Sequence, residues 1–240
     1  MALDELHAHR LGAGACPPML RLYRWMPWAI SLGRNQMEGD IDGEKCRRDG
    51  IDVVRRPTGG RAILHAEELT YCVVMRTERR SVLQVYNDIS RALVRGLNLF
   101  GVDVSLQRSQ LDFARQYRSA ASIPCFASSA RYEIEWRGRK LVGSAQRRYG
   151  ASGGDIVLQH GSILCGPAHR RLAEYLATND TEAVRAVQET LQQKTVDLSE
   201  ITRSAIDIHA LSACIRKGFE EAWGIVFSTE SEFQPEALNA

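Results

Sequence analysis

The sequence predicts an α+β fold, a mixed and mostly antiparallel sheet flanked by helices. Three observations carry this. Runs at 51–56, 69–75, 132–136, 139–145 and 156–164 have strand character and are expected to share one sheet. Gly138 allows a tight turn between the run ending at Trp136 and the run carrying Lys140, which makes those two a hairpin. Residues 82–100 place Val85, Ile89, Leu93 and Leu97 at helical spacing, and Gly101 stops them. That helix is expected to pack on one face of the sheet.

Composition excludes several classes. The chain has 240 residues and is 44% hydrophobic, enough for a substantial core. A net charge of +2 gives no field that would draw it to nucleic acid or a membrane surface. No apolar run approaches the roughly 20 residues that span a bilayer, and residues 1–10 lack the apolar segment of a signal peptide. The six cysteines, at 16, 46, 72, 125, 165 and 214, form no CxxC pair and have no zinc-like spacing. Reduced, metal-free cysteines in a cytoplasmic protein follow as the expectation.

In chain order, residues 1–11 read as an amphipathic helix with Leu3, Leu6 and Leu11 apolar and Asp4 and Glu5 near its positive end. A chain that starts inside a helix points to a strand upstream or to a late-assigned start codon. Gly12, Gly14 and Pro17-Pro18 break the helix. Residues 20–25 alternate as a strand, 28–32 are a second, and 43–48 a short helix that Gly50 stops. Residues 102–106 read as a short strand, and 107–122 as a long polar loop that delivers Cys125. Beyond Cys165 the chain turns helical. Thr181 is the expected N-cap of a helix over 182–193, and Asp207 that of a last helix with Ile208, Leu211, Ile215 and Phe219 on one face. A final strand is expected over 223–227, followed by a loose tail. The apolar faces of these helices are narrow and no Gly/Pro/Ser-rich linker precedes them, so 168–240 is expected to be a helical C-terminal cap of one domain spanning 1–240.

Chemistry-bearing residues concentrate in two stretches. In the first, a buried-type strand runs into Arg55-Arg56-Pro57-Thr58-Gly59-Gly60-Arg61 and on to His65. Two glycines permit close backbone approach, and exposed N–H groups suit a carboxyl, carbonyl or phosphate oxygen. A Gly-rich turn between strands is also the ordinary form of a hairpin; the flanking arginines favour ligand binding. The second stretch, 125–161, carries the thiol of Cys125, the amine of Lys140, the small residues Gly143-Ser144-Ala145 and the pair His160-Gly161 at or near strand ends. A cysteine near a cation can be held as a nucleophilic thiolate, whereas a lone cysteine is most often a small buried hydrophobe. His65 and His160 fit a pocket lining or a structural role equally.

The motifs RRPTGGRAILH at 55–65, ELTY at 68–71, GRKLVGSAQRR at 138–148 and LQHGSIL at 158–164 together resemble the biotin/lipoate protein ligase and acyltransferase superfamily. The resemblance covers roughly the first two-thirds of the chain and implies the ligase-like catalytic-domain fold. Lipoate ligases typically carry a third glycine where this chain has Arg61. Cys125, in its Pro-Cys-Phe context, looks like the nucleophile of the octanoyltransferases of the LipM type. One departure is Ala130-Arg131 before Tyr132, where the transferases carry a Pro-Ser-Trp-like run.

The resemblance implies an octanoyl-[acyl carrier protein]:protein N-octanoyltransferase of protein lipoylation. Cys125 would take octanoyl from octanoyl-acyl carrier protein. It would pass the group to a lysine of an apo lipoyl-domain protein, such as the glycine cleavage H protein or a dehydrogenase E2. No cofactor and no metal would be needed. Lys140 would favour the thiolate and polarise the carbonyl. Arg56, Gly59, Gly60, Arg61, His65, Gly143, Ser144, His160 and Gly161 would form the substrate site. The alternative is an ATP-dependent lipoate-protein ligase catalytic domain. Non-catalytic cofactor sensing and octanoyl transfer between two lipoyl-domain proteins are the remaining readings.

Overall fold

A computed structural model describes residues 1–108 and 132–228 of the chain. In chain order the strands are β1 (Met19–Tyr23), β2 (Ala29–Leu32), β3 (Asp52–Arg55), β4 (Ile63–His65), β5 (Glu68–Arg76), β6 (Ser105–Arg108), β7 (Tyr132–Trp136), β8 (Arg139–Tyr149) and β9 (Ile156–Leu164). The α-helices are α1 (Ala2–Gly12), α2 (Gly43–Arg48), α3 (Val82–Leu99), α4 (Thr181–Lys194), α5 (Leu198–Thr202) and α6 (Ile208–Trp223), with a 3-10 helix over Pro167–Tyr175.

Six strands form an antiparallel sheet in the order β1-β5-β9-β8-β7-β6. A second, three-stranded sheet has the order β3-β2-β4, with β2 parallel to β3 and antiparallel to β4. The α+β class and the mixed, mostly antiparallel sheet are as the sequence predicts. The expectation that 51–56 joins the main sheet is not. β5 already has β1 and β9 on its two edges, and β3 leaves Asp52, Val53 and Arg55 exposed, a pattern suited to the rim of a small sheet.

The β7–β8 hairpin turns on Arg137 and Gly138, both at positive φ (51° and 77°), as a two-residue connection requires. The helix α3 starts in a capping box: Gln84 N donates to Ser81 Oγ and Ser81 N to Gln84 Oε1. Its residues Val85, Ile89, Leu93 and Leu97 are fully buried in the main core with Tyr71 and Val73 of β5. α6 lies on α3 at close range, because a Cβ on Gly218 would sit 2.3 Å from Gly96 N and one on Gly96 would sit 2.7 Å from Ile215 Cα.

The other face of β5 and β9 buries Cys72, Val74, Ile156 and Leu158 against Ala8 and Leu11 of α1. The buried stripe of α1 is Asp4, His7, Ala8 and Leu11, whereas Leu6 is exposed. The helix is thus rotated away from the expected Leu3-Leu6-Leu11 phase. The cause is Asp4, which is buried by its ion pair with Arg21 of β1 (2.7 Å).

Three further expectations change. Asp180, not Thr181, caps α4, its side chain accepting from Glu182 N and Ala183 N. No strand forms over 223–227, because α6 continues to Trp223 and Gly224 ends it in the left-handed region (φ 63°). Residues 107 and 108 close β6 rather than open a loop; the rest of that expected loop, with Cys125, lies outside the described residues.

Candidate active site

The site is built where the second sheet packs on the main one. β3 and β4 flank β2 and are not hairpin partners, so the 57–62 connection crosses the end of β2. Arg56 turns inward at that crossing and is buried. Its guanidinium donates to Ser31 O (2.9 Å), Ser31 Oγ (3.0 Å), Gly59 O (3.0 Å) and Arg61 O (2.6 Å). It therefore staples the loop from within. Arg55 likewise donates to Gly33 O and Gln36 O (3.0 and 2.6 Å) and pairs with Glu38. Of the flanking arginines that favour ligand binding in the sequence, those at 55 and 56 are loop anchors. Gly59 and Gly60 remain exposed. Gly60 has φ 97°, and its carbonyl comes so near Gly33 that a Cβ there would lie 1.9 Å from the oxygen.

Beneath the loop lies a buried polar layer. Thr58 Oγ1 and His160 Nε2 are 2.6 Å apart. His65 contacts Glu68 Oε1 through Nδ1 (2.8 Å) and Ser31 Oγ through Nε2 (2.7 Å). Thr70 Oγ1 and Ser162 Oγ donate to the same Glu68 oxygen (2.5 and 2.9 Å), and Trp25 Nε1 donates to Thr70 Oγ1 (3.0 Å). The Trp25 indole stacks on the His65 ring, 4.5 Å between centroids and 17° between planes. Burial, then the nearby Arg56 guanidinium and His65, hold His160 well below the ordinary imidazole range, so it is neutral at pH 7.

The register sorts the remaining predicted residues by face. Ala145 pairs with His160 and Gly143 with Ser162, so Gly143 shares the face of the polar layer. Ser144 pairs with Gly161 and lies on the opposite face, where its Oγ accepts from Tyr71 Oη (2.6 Å). Gly161 makes room there for the Tyr71 ring, since a Cβ would meet Tyr71 Cε1 at 2.7 Å and Gly143 O at 2.2 Å.

Simple alternation would put Lys140 with Ser144. The ladder slips, however: Ile134 pairs with Val142 while Glu135 pairs with Lys140, one extra residue on β8. This bulge moves Lys140 to the face of Gly143 and the polar layer. Three residues of strand separate Lys140 from Gly143, about 10 Å. Lys140 is buried, and its carbonyl accepts from Val196 N (3.0 Å) where the 195–196 segment pairs beside β8.

Arg56, Gly59, Gly60, Arg61, His65 and His160 thus gather where the second sheet meets the main one, Gly143 and Lys140 share that face of β8, and Ser144 and Gly161 face the α3 side. Cys125 lies outside the described residues. Burial raises the thiol pKa of Cys16, Cys46 and Cys72 and pushes Cys165 up to about 12. Sequence reasoning passed over Ser31, Glu68 and Ser162. The available signal was Glu68 itself, a carboxylate heading the otherwise apolar strand 69–75. Among the described residues no cluster of His, Cys, Asp or Glu could hold a metal ion, and no helix is long and apolar enough to cross a membrane.

This fold and site define the class: the chain belongs to the lipoyl protein ligase A/B catalytic domain family, which its residues 1–220 match. Octanoyltransferase LipM of Kyrpidia tusciae is 35% identical over 229 residues, covering 93% of this chain and 82% of that protein. Octanoyltransferase LipM of Symbiobacterium thermophilum is 39% identical over 202 residues, covering 76% of this chain and 72% of that protein. Among solved structures, a bi-partite lipoate protein ligase from Thermoplasma acidophilum superposes with a TM-score of 0.70 at 18% identity, covering 94% of this chain and 81% of that one. At that identity the likeness concerns the fold.

Proposed function

We propose that this protein is an octanoyltransferase of protein lipoylation, acting through an octanoyl-Cys125 thioester. The observation that carries the reading is the buried contact joining the 57–61 loop to His160, with Lys140 turned to the same face of the sheet, in a chain more than a third identical to proteins named octanoyltransferase LipM. The Cys125 thiolate attacks the octanoyl thioester carbonyl of octanoyl-acyl carrier protein. A carbon–sulfur bond forms to Cys125, the bond to the pantetheine sulfur breaks, and the carrier leaves as its thiol after taking up the proton that Cys125 lost on ionising. The neutral amine of a lysine on an apo lipoyl-domain protein, such as a glycine cleavage H protein or a dehydrogenase E2, then attacks the acyl-enzyme. The amide forms, the Cys125 carbon–sulfur bond breaks, and the proton lost by nitrogen returns to the thiol. The thioester supplies the driving force, so no nucleotide or metal takes part.

Lys140 acts as the cation that favours the thiolate and polarises the carbonyl. The exposed backbone of Gly59 and Gly60, with Arg61 beside it, receives the acyl donor, and Gly143, His65 and His160 line the layer beneath. Ser144 and Gly161 shape that strand pair from its other face. The helical segment 168–240 is a cap of the same domain, an assignment supported by the close α3–α6 packing. A reducing, cytoplasmic setting suits a free nucleophilic thiol.

The test is intact-mass measurement after mixing with octanoyl-acyl carrier protein. One octanoyl group should appear on the wild-type enzyme and none on Cys125→Ala. Lipoate-dependent exchange between ATP and pyrophosphate, with no acyl-enzyme, would replace this reading with the ATP-dependent ligase.

A further inference from the structure

The chemistry described so far uses the outer ends of the polar layer, the exposed loop and His160. It gives no role to Glu68 and Ser31, which form an interior arm with His65 and are, like it, among the most deeply buried polar residues of the described chain. Their geometry, 2.8 Å from carboxylate to Nδ1 and 2.7 Å from Nε2 to hydroxyl, resembles a serine-hydrolase relay. Ser31 cannot be a nucleophile. It is wholly buried, and its Oγ already accepts from Arg56 Nη1 at 3.0 Å. The arm ends on Arg56, and Arg56 ends on the carbonyls of Gly59 and Arg61.

Donors and acceptors fix the direction of every bond. Trp25 can only donate to Thr70, which frees the Thr70 hydroxyl hydrogen for Glu68 Oε1. Ser162 donates to that same oxygen. A carboxylate oxygen receiving two hydroxyls takes a third donor, so His65 carries its proton on Nδ1 and presents a bare Nε2 to Ser31. The Ser31 hydroxyl hydrogen then goes to Nε2, which leaves its oxygen lone pairs for Arg56. This arrangement gives every donor in the arm an acceptor, whereas the other tautomer of His65 would set a bare Nδ1 2.8 Å from Glu68 Oε1.

We propose that Glu68 is a positioning residue, which through the His65 tautomer and Ser31 sets the Arg56 guanidinium and with it the conformation of the 57–61 loop that receives the acyl donor. The inference rests on the functional reading above for the identity of that donor. Apart from the arginine, the loop is held at Thr58, whose Oγ1 meets His160 and whose carbonyl accepts from Arg34 N. The tip is less constrained: Gly59 and Gly60 are exposed, nothing lies within 4 Å of where a Gly59 Cβ would be, and Gly60 has a backbone conformation that few residues adopt. The shape of the 59–61 tip is therefore set from beneath by the arginine, and the arginine's orientation by the arm.

The experiment compares wild type with Glu68→Gln, Ser31→Ala and the double variant. One readout is steady-state transfer from octanoyl-acyl carrier protein. The other is the amide resonances of Gly59 and Gly60 in the substrate-free protein. If the arm acts as one device, each single variant raises KM for the acyl donor about tenfold while kcat stays within about twofold. The double variant is then no worse than the more severe single, because the links lie in series. Both glycine amides shift in each variant. Ser31→Ala removes one hydroxyl and keeps the Arg56 bond to the Ser31 carbonyl, so it is the variant expected to fold if Glu68→Gln does not. Unmoved glycine amides, or KM effects that multiply in the double variant, would overturn the proposal. A wild-type enzyme inactive with the acyl donor would refute the functional reading alone, because the amide shifts report the arm without turnover.

Discussion

Replacing Thr58 with valine tests whether the 57–61 loop is locked to the main sheet through His160. Valine keeps the shape of threonine and removes only the hydroxyl. Thr58 and His160 are both buried, and the 2.6 Å contact is the one hydrogen bond His160 makes among the described residues, its Nδ1 having none. The substitution therefore leaves an imidazole with no partner on either nitrogen. Losing the bond and stranding a buried polar atom costs about 1–3 kcal/mol. At this chain length, about 2 kcal/mol corresponds to a fall in melting temperature of roughly 4–8 °C. Thr58→Ser restores the hydroxyl and should recover most of the loss. Calorimetry of the three proteins at pH 7.5 measures stability, and the rate of acyl-enzyme formation measures the site, which should slow in the valine variant alone. A valine variant within about 0.5 kcal/mol of wild type, the scatter of neutral substitutions, would refute the hydrogen bond and the coupling of loop to strand.

Further outcomes follow from the same geometry. Burial pushes His169 down to about 4, with Gly166 O against Nδ1 (3.1 Å) and Thr195 Oγ1 against Nε2 (2.7 Å), and His160 is depressed in the same sense. A histidine with a folded pKa below its unfolded value of about 6.5 contributes stability that is complete above that pH and lost as pH falls toward the folded value. His169 alone should therefore remove about 3 kcal/mol between pH 6.5 and 4, and urea titrations in which His169→Gln loses as much as wild type would contradict this. Gly218→Ala should destabilise by about 1–3 kcal/mol, because its methyl group would meet Gly96 N at 2.3 Å; chemical denaturation reads the change. Lys140→Ala should slow acyl-enzyme formation by about 3 kcal/mol, the scale of a lost oxyanion donor, in single-turnover acylation. Iodoacetamide at neutral pH should label Cys125 before Cys16, Cys46, Cys72 and Cys165, whose thiol pKa values burial raises.

What the sequence made legible was whatever depends on local periodicity. The α3 helix was readable because four apolar residues at helical spacing all point to one core, and the β7–β8 hairpin because Gly138 marks the turn. Two kinds of information were not local. The partner of β3 depends on which edges of β5 are already taken, a property of the assembled sheet. The phase of α1 depends on Asp4 finding Arg21, seventeen residues away, so that a charge takes a buried position that hydropathy assigns to leucine. The site divided in the same way. The glycines and histidines stood out as residue types, but Arg56 reads as a surface charge until its carbonyl partners are known. Ser31, Thr70 and Ser162 are unremarkable except as neighbours of Glu68.

Lys140 shows most directly how the fold serves the site. A lysine in a regular β8 would alternate onto the α3 face with Ser144, behind the sheet and away from the 57–61 loop. One extra residue in the ladder turns it to the front. On its other edge β8 loses β9 beyond the Val142–Ile163 pair, and the 195–196 segment takes that place beside Lys140: Val196 N donates to Lys140 O, and Thr195 bridges in parallel. That segment is held in turn by Arg139 with Glu200 (2.5 Å), by Arg170 with Glu200 and Asp197 (3.0 and 3.3 Å), and by His169 on Thr195. The Arg139 bond, with that of Arg170, lowers the Glu200 pKa, as expected of a carboxylate held between two guanidinium groups. The orientation of the one lysine in the motif thus rests on a bulge on one edge of β8, and the other edge beside it is covered by residues more than fifty positions further along the chain. The 195–196 segment, with the residues that hold it, backs the strand that carries Lys140.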